Sequence, residues 1–307
     1  MKKFRFALIA AIVAVMMAIS MIAIGCGETP TPPDPDKPDP EKPIEEVNPN
    51  LHLMTFELNE DGNTYTFKAL QRGAEGEIKI PGKYEGKTVT KIANDACVGN
   101  ETITSLIISD GITEIGDNAF KNCKGLTSVT FPNTLTVIGA YAFNKCSAIT
   151  SAIVFPKSLK KICDHAFDNA SNITSWTFNE GLEEIGERVF DYNKSTSLYL
   201  PDSLTKIGWR AFIYMKQLKT VSIGNKVTHI GDMAFAYAEA LEQVEFRGTK
   251  AQWDAIYIDQ THTQYGWDYL ACKPKDPPTY TFKYSDSTYL VYPRLKTDTE
   301  RVEEKVS

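Results

Sequence analysis

Isoleucine followed by a small residue recurs down the chain at Ile92-Ala93, Ile115-Gly116, Ile138-Gly139, Ile162-Cys163, Ile185-Gly186, Ile207-Gly208 and Ile230-Gly231. Successive steps are 23, 23, 24, 23, 22 and 23 residues. A period of about 20–29 residues marks a solenoid, in which each copy is one coil and buries its apolar face only against its neighbours. Further along each copy a small residue precedes an aromatic: Ala119-Phe120, Ala142-Phe143, Ala166-Phe167, Ala211-Phe212 and Ala234-Phe235, with Val189-Phe190 and Ala96-Cys97 as variants. Between aromatic and isoleucine lies one short alternating run, such as Leu126, Val129 and Phe131, then Pro132 and a looser apolar arc through Leu135 and Ile138. That pattern predicts one short strand per coil, with the rest irregular or briefly helical.

Alternation assigns the strand's two faces. Inward columns are apolar: Leu106/Ile108, Val129/Phe131, Ile153/Phe155, Trp176/Phe178, Leu198/Leu200, Val221/Ile223 and Val244/Phe246. Outward columns are small and hydroxyl-rich: Ser105/Ile107, Ser128/Thr130, Ala152/Val154, Ser175/Thr177, Ser197/Tyr199, Thr220/Ser222 and Gln243/Glu245. The line Ile107, Thr130, Val154, Thr177, Tyr199, Ser222, Glu245 is the candidate binding face, with Ile107, Val154 and Tyr199 as apolar contacts. Ser and Thr also suit any exposed strand position, so hydroxyls alone do not assign a ligand. The Phe120–Phe235 aromatic column reads as stacked core.

Elements outside the period close the ends. Met54–Leu58 and Tyr65–Ala69 alternate around Asp61-Gly62, a hairpin signature, and Ile78–Pro81 reads as a third strand. An array needs such a cap over its first coil. After the array, Trp253, Tyr257, Tyr265, Trp267 and Tyr269 crowd together as a second cap, with Trp253 and Trp267 also candidates for glycan stacking. Residues 279 to 292 read as another hairpin, and the charged tail from Lys296 is expected to fray.

The leading segment is different in kind. Lys2, Lys3 and Arg5 precede an apolar run from Phe6 to Ile24 and then Gly25-Cys26, an export signal. Its length also admits an uncleaved anchor, and simple secretion is a further alternative. Ala23-Ile24-Gly25-Cys26 resembles the lipobox of bacterial lipoproteins, which implies that Cys26 carries the lipid. The proline-rich stretch Thr29–Pro40 can form neither helix nor central strand and reads as a semi-rigid stalk, at roughly 3.1 Å per residue where extended.

Leu126–Cys146, with the six other copies in phase with it, resembles the 23-residue leucine-rich repeat of BspA-like bacterial surface proteins. The opening hairpin and the ending Phe246-Arg247-Gly248-Thr249-Lys250-Ala251-Gln252-Trp253 share the likeness. The resemblance implies a curved leucine-rich repeat solenoid, surface display and an attachment or protein-binding role, and it implies no enzyme chemistry. The expected organisation is signal peptide 1–25, proline-rich linker 26–50, β cap 51–90, repeat array with its C-terminal cap 91–272, and hairpin and tail 273–307.

Composition narrows the function classes further. The 307 residues are 42% hydrophobic and 23% charged, ordinary for a folded chain. Net charge is −6, and removing the three leading cations leaves −6 − 3 = −9. An acidic body argues against nucleic acid as partner. Cys97, Cys123, Cys146, Cys163 and Cys272 are an odd set beside Cys26, so buried free thiols are the expectation, with a Cys123–Cys146 bridge geometrically conceivable. No Cys or His spacing suits zinc, the histidines His52, His165, His229 and His262 are scattered, and no nucleophile motif, phosphate loop or calcium loop occurs. Acids such as Asp117, Glu184 and Asp232 fall at variable outward positions and read as solvated. The expectation is a lipid-anchored, extracytoplasmic, monomeric, non-enzymatic protein that meets the membrane only through its lipid, needs no cofactor, and binds an extracellular protein or glycan.

Overall fold

Each turn of the chain contributes to two parallel ladders, as the computed structural model shows for residues 48–259, 280–292 and 302–306. The signal, stalk, Cys26 and Trp267 lie outside the described residues. One ladder carries the alternating runs and forms an open face. The other was not expected: Glu114–Ile115, Val137–Ile138, Lys161–Ile162, Glu184–Ile185, Lys206–Ile207 and His229–Ile230 stack in register as two-residue strands. Coils therefore hold two strands, not one. Two residues are too few to show alternation, so the pattern left them as an arc. This second ladder is a continuous spine from the opening hairpin to Tyr257–Ile258.

Glycine follows the spine isoleucine because the preceding coil presses against it. A Cβ at Gly139 would stand 2.7 Å from the Gly116 carbonyl carbon. Two further turns of the coil carry side chains at positive φ: Asn118, Tyr141, His165, Arg188, Arg210 and Met233 form one column with φ between 49° and 59°, and Asn122, Lys145, Asn169, Tyr192, Tyr214 and Tyr237 a second with φ between 59° and 63°, preceded in the first coil by Gly99. An L-residue in this region costs about 1–2 kcal/mol, which the packed neighbours offset.

The interior follows the inward columns. Phe120, Phe143, Phe167, Phe190, Phe212 and Phe235 are all buried, and their rings stack in sequence at 5.2, 5.1, 6.0, 5.1 and 5.1 Å. Offset ring pairs add about 0.5–1.5 kcal/mol each beyond burial. Cys97, Cys123 and Cys146 are buried free thiols and Cys163 is half-buried. Burial pushes the Cys97 thiol well above its usual range, and the neighbouring Cys123 thiol together with burial does so for Cys146.

At the N-terminal end Met54–Leu58 and Thr64–Leu70 form the expected hairpin, joined to the spine through Lys87–Ile92. Gly76–Ile80 pairs in parallel with Ile103–Ile108 and so supplies the first rung of the face. Its outer edge is closed by side chains: the Asn48 amide donates to the Lys79 carbonyl at 2.6 Å and the Asn50 amide to that of Glu77 at 2.9 Å. At the other end a short helix, Lys250–Asp254, opens with a Thr249–Gln252 capping box. Tyr280–Lys283 and Thr288–Tyr292 form the expected hairpin. The tail does not fray throughout, since Val302–Val306 adds a further antiparallel strand to that hairpin.

Candidate functional site

The seven residues expected to form a binding face stand on the outer side of the face ladder. Ile107 is in register with Thr130, Val154 with Thr177, and Tyr199 with Ser222 and Glu245 in turn. Lys79 prolongs the line at one end and Lys283 at the other. Val154 and Tyr199 are each 58% exposed, far more than any inward-column residue. Thr130 and Thr177 are exposed, while Ile107, Ser222 and Glu245 are half-buried.

Unlike the spine, this ladder is interrupted. It divides into sheets of Gly76–Ile80, Ile103–Ile108 and Ser128–Thr130, then Ile153–Val154 and Trp176–Thr177, then Ser197–Tyr199 onward. The interruptions fall where the repeat length changes, with 24 residues from Val129 to Ile153 and 22 from Trp176 to Leu198. The spine crosses the same two steps, Ile138 to Ile162 and Ile185 to Ile207, and keeps its pairing, so the change in length is taken up on the face.

Two clefts mark this surface. The first, about 520 Å³, spans the first interruption and is lined by Val129, Phe131, Val154 and Phe155 among others, with Lys157 its one ionisable group. Its walls are mixed, with Thr130, Asn133 and Asn179 beside the apolar side chains. The second, about 340 Å³, crosses the strands of Tyr199, Thr220–Ser222 and Gln243–Glu245. Arg247, absent from the sequence-based candidates, organises it. The guanidinium carbon sits 4.1 Å from the Tyr199 ring centroid, and its nitrogens donate to Leu200 O (2.6 Å), Ser222 Oγ (2.8 Å) and Asp202 Oδ1 (2.8 Å). Ser222 in turn donates to Glu245 Oε2 at 2.9 Å, and Lys283 Nζ lies 3.5 Å from the same carboxylate. No repeating position carries an equivalent arginine, so periodicity offered no signal for it.

Trp253 corrects an expectation. It is only 5% exposed, wedged edge-on between Phe246 (5.3 Å) and Phe282 (4.7 Å), so its ring closes the last coil and is no platform for a sugar. Asp232, read as solvated, is also buried. On the turn side of the coils Tyr192, Tyr214 and Tyr237 stack at 4.6 and 4.4 Å, and Tyr141 stacks on His165 at 4.5 Å. His165 contacts Asp168 at 3.0 Å, and Arg188 pairs with Asp191 at 2.6 Å. Burial raises the Asp191 carboxyl above its ordinary range despite that guanidinium. The tyrosine offset, two residues after Phe190, Phe212 and Phe235, was a readable signal that composition alone obscured.

Among the described residues no group of three or more His, Cys, Asp and Glu is placed to hold a metal ion. Among them also no helix is long and apolar enough to cross a membrane.

Several solved structures are similar to this chain. A leucine-rich repeat protein of T. pallidum is 22% identical with a TM-score of 0.49, covering 64% of this chain and 84% of that one. A leucine rich cell surface protein from Faecalibacterium prausnitzii A2-165 is 23% identical with a TM-score of 0.46, covering 67% and 70%. The pneumococcal vaccine antigen PcpA is 18% identical with a TM-score of 0.48, covering 68% and 65%. No curated protein matches. The sequence profile of the BspA type leucine-rich repeat region matches in six copies over residues 90–154 and 150–257, more than half of the 307-residue chain. With its repeat length, stacked phenylalanine column and paired ladders matching that profile's extent, the chain belongs to the BspA type leucine-rich repeat family.

Proposed function

We propose that this protein is a surface-displayed bacterial lipoprotein, anchored through Cys26 and raised on its proline-rich stalk, whose open face binds an extracellular protein in adhesion. The observation that carries the reading is the face itself. From Ser105 to Ser222 its outward columns hold no ionised side chain. Val154 and Tyr199 project from it at 58% exposure, although large apolar side chains elsewhere in the array are mostly interior. Uncharged, partly apolar surface with open clefts suits contact with another macromolecule, since little desolvation penalty opposes burial. The anchor and stalk support display outside the cytoplasm.

The test is solid-phase binding of the full chain to a panel of extracellular matrix proteins, run beside Val154→Asp. Binding to at least one protein that weakens in Val154→Asp is the expected result. A panel on which neither form binds, or on which the variant binds equally well, would sink the face as the binding surface. Metabolic labelling with a fatty-acid probe, wild type beside Cys26→Ser, tests the anchor separately; a wild type that takes up no label, or a variant that is labelled equally, would exclude lipidation there.

A further inference from the structure

We infer that the cleft bounded by Tyr199, Thr220 and Gln243 is a subsite for a neutral sugar ring of a glycan. The two clefts of the face differ in chemistry, and the difference selects the ligand. The cleft at the first interruption sets Val129, Phe131 and Val154 beside Thr130, Asn133 and Asn179, and neither of its aromatic residues, Phe131 and Phe155, is exposed. At Tyr199 the lining is instead an exposed aromatic ring beside hydroxyl, amide and carboxylate groups. Sugars present apolar C–H faces and a rim of hydroxyls that both donate and accept, so an aromatic plate flanked by mixed donors and acceptors is their complement.

Three features make the plate usable. Arg247 covers one side of Tyr199 at 4.1 Å and is itself fixed by Leu200, Asp202 and Ser222, so the ring is held without cost at binding while 58% of the residue stays exposed. Among the described residues the side chains of Ser197, Thr220 and Gln243, all lining the cleft, have no hydrogen-bond partner and are available to a ligand. Register puts Ser197, Thr220 and Gln243 in one row and Tyr199, Ser222 and Glu245 in the next, so row and plate lie side by side across paired strands. A volume of about 340 Å³ is at the small end of ligand sites, fitting one ring rather than a long oligomer. Charge settles the kind of sugar. The cations beside the cleft are each already paired, Lys283 with Glu245 at 3.5 Å and Arg247 with Asp202 at 2.8 Å, so among the described residues no unpaired positive charge there favours an acidic sugar over a neutral one.

The inference rests on the reading that this face meets an extracellular partner, and it specifies a chemistry for one part of it. The test is native affinity electrophoresis of the full chain through gels holding mannan, mixed-linkage β-glucan, arabinoxylan or polygalacturonate, with Tyr199→Ala, Gln243→Ala and Val154→Asp alongside. Expected is retardation by at least one neutral polysaccharide and none by polygalacturonate. Affinity should fall about ten-fold or more in Tyr199→Ala, fall also in Gln243→Ala, and hold in Val154→Asp. Circular dichroism should show all three variants folded, because each change is at an exposed side chain. Absence of retardation in every neutral gel, or retardation that survives Tyr199→Ala, overturns the subsite. If matrix proteins still bind in that case, the subsite alone fails; if neither sugar nor protein binds, the reading of the face fails with it.

Discussion

Arg247 reaches back across two coils to Tyr199, 48 positions earlier in the chain, and clamps the last three strands of the array on their outer side. Its side chain is 16% exposed and satisfies a backbone carbonyl that no strand partner uses. Replacing it with alanine should cost about 1.5–3 kcal/mol, the range for a hydrogen bond to a charged group. Urea unfolding of Arg247→Ala and Arg247→Lys checks this. Lysine should recover only part, because a point charge lacks the planar fork. A wild-type midpoint in the alanine variant would show the clamp to be incidental.

Phe190 is one of the two central rings of the buried column, with Phe167 at 6.0 Å on one side and Phe212 at 5.1 Å on the other. Phe190→Ala should lose about 3–5 kcal/mol. Stability in a repeat array is a sum of coil and interface contributions, so weakening a central interface should also separate the two halves. Fluorescence and circular dichroism followed in the same urea titration should then diverge, while the wild type gives coincident curves. Coincident curves in the variant would show the array to be more cooperative than nearest-neighbour stacking requires.

Lys145 is exposed and holds φ at 61°. Glycine adopts that conformation freely, whereas a β-branched residue resists it. Lys145→Gly should therefore leave stability unchanged or raise it by up to about 1 kcal/mol, and Lys145→Val should lower it by about 1–2 kcal/mol. Thermal melts of the pair report the sign, and an inverted order would show that something other than backbone strain governs this turn.

Glu184 lies on the spine between Lys161 at 2.9 Å and Lys206 at 3.0 Å. Partial burial opposes its ionisation, but the two ammonium groups outweigh this and hold the carboxyl below its usual value. A depressed folded pKa means the unfolded chain binds the proton more readily. Its contribution is therefore present above the unfolded value of about 4.3 and is lost as pH falls through the folded one. The urea midpoint of Glu184→Gln should lie below wild type near neutral pH and converge with it in acid. A gap that persists in strong acid would show the loss to be steric.

Much of this architecture was readable because repetition amplifies it. One Val129 or Phe143 says little, but the same apolar type at seven equivalent places specifies the interior, and those columns are buried. Legibility ended where repetition did. Arg247 occurs once. Glu184–Ile185 and its counterparts are too short for alternation to register. The 24- and 22-residue spacings were visible, yet spacing alone does not say which ladder yields. Trp253 sat in an aromatic-rich stretch whose composition fits a wall and a platform equally, and only its contacts with Phe246 and Phe282 decide for the wall.

The separation of spine and face has a consequence for how such a chain can change. One residue gained before Ile153 and one lost before Leu198 interrupt the outer sheet, while every isoleucine rung behind them keeps its neighbour. Insertions and deletions thus act as local edits of the contact surface, and the scaffold absorbs them without refolding. A lineage can carve a new recess by altering a coil's length by a single codon, leaving its backbone of stacked rungs intact.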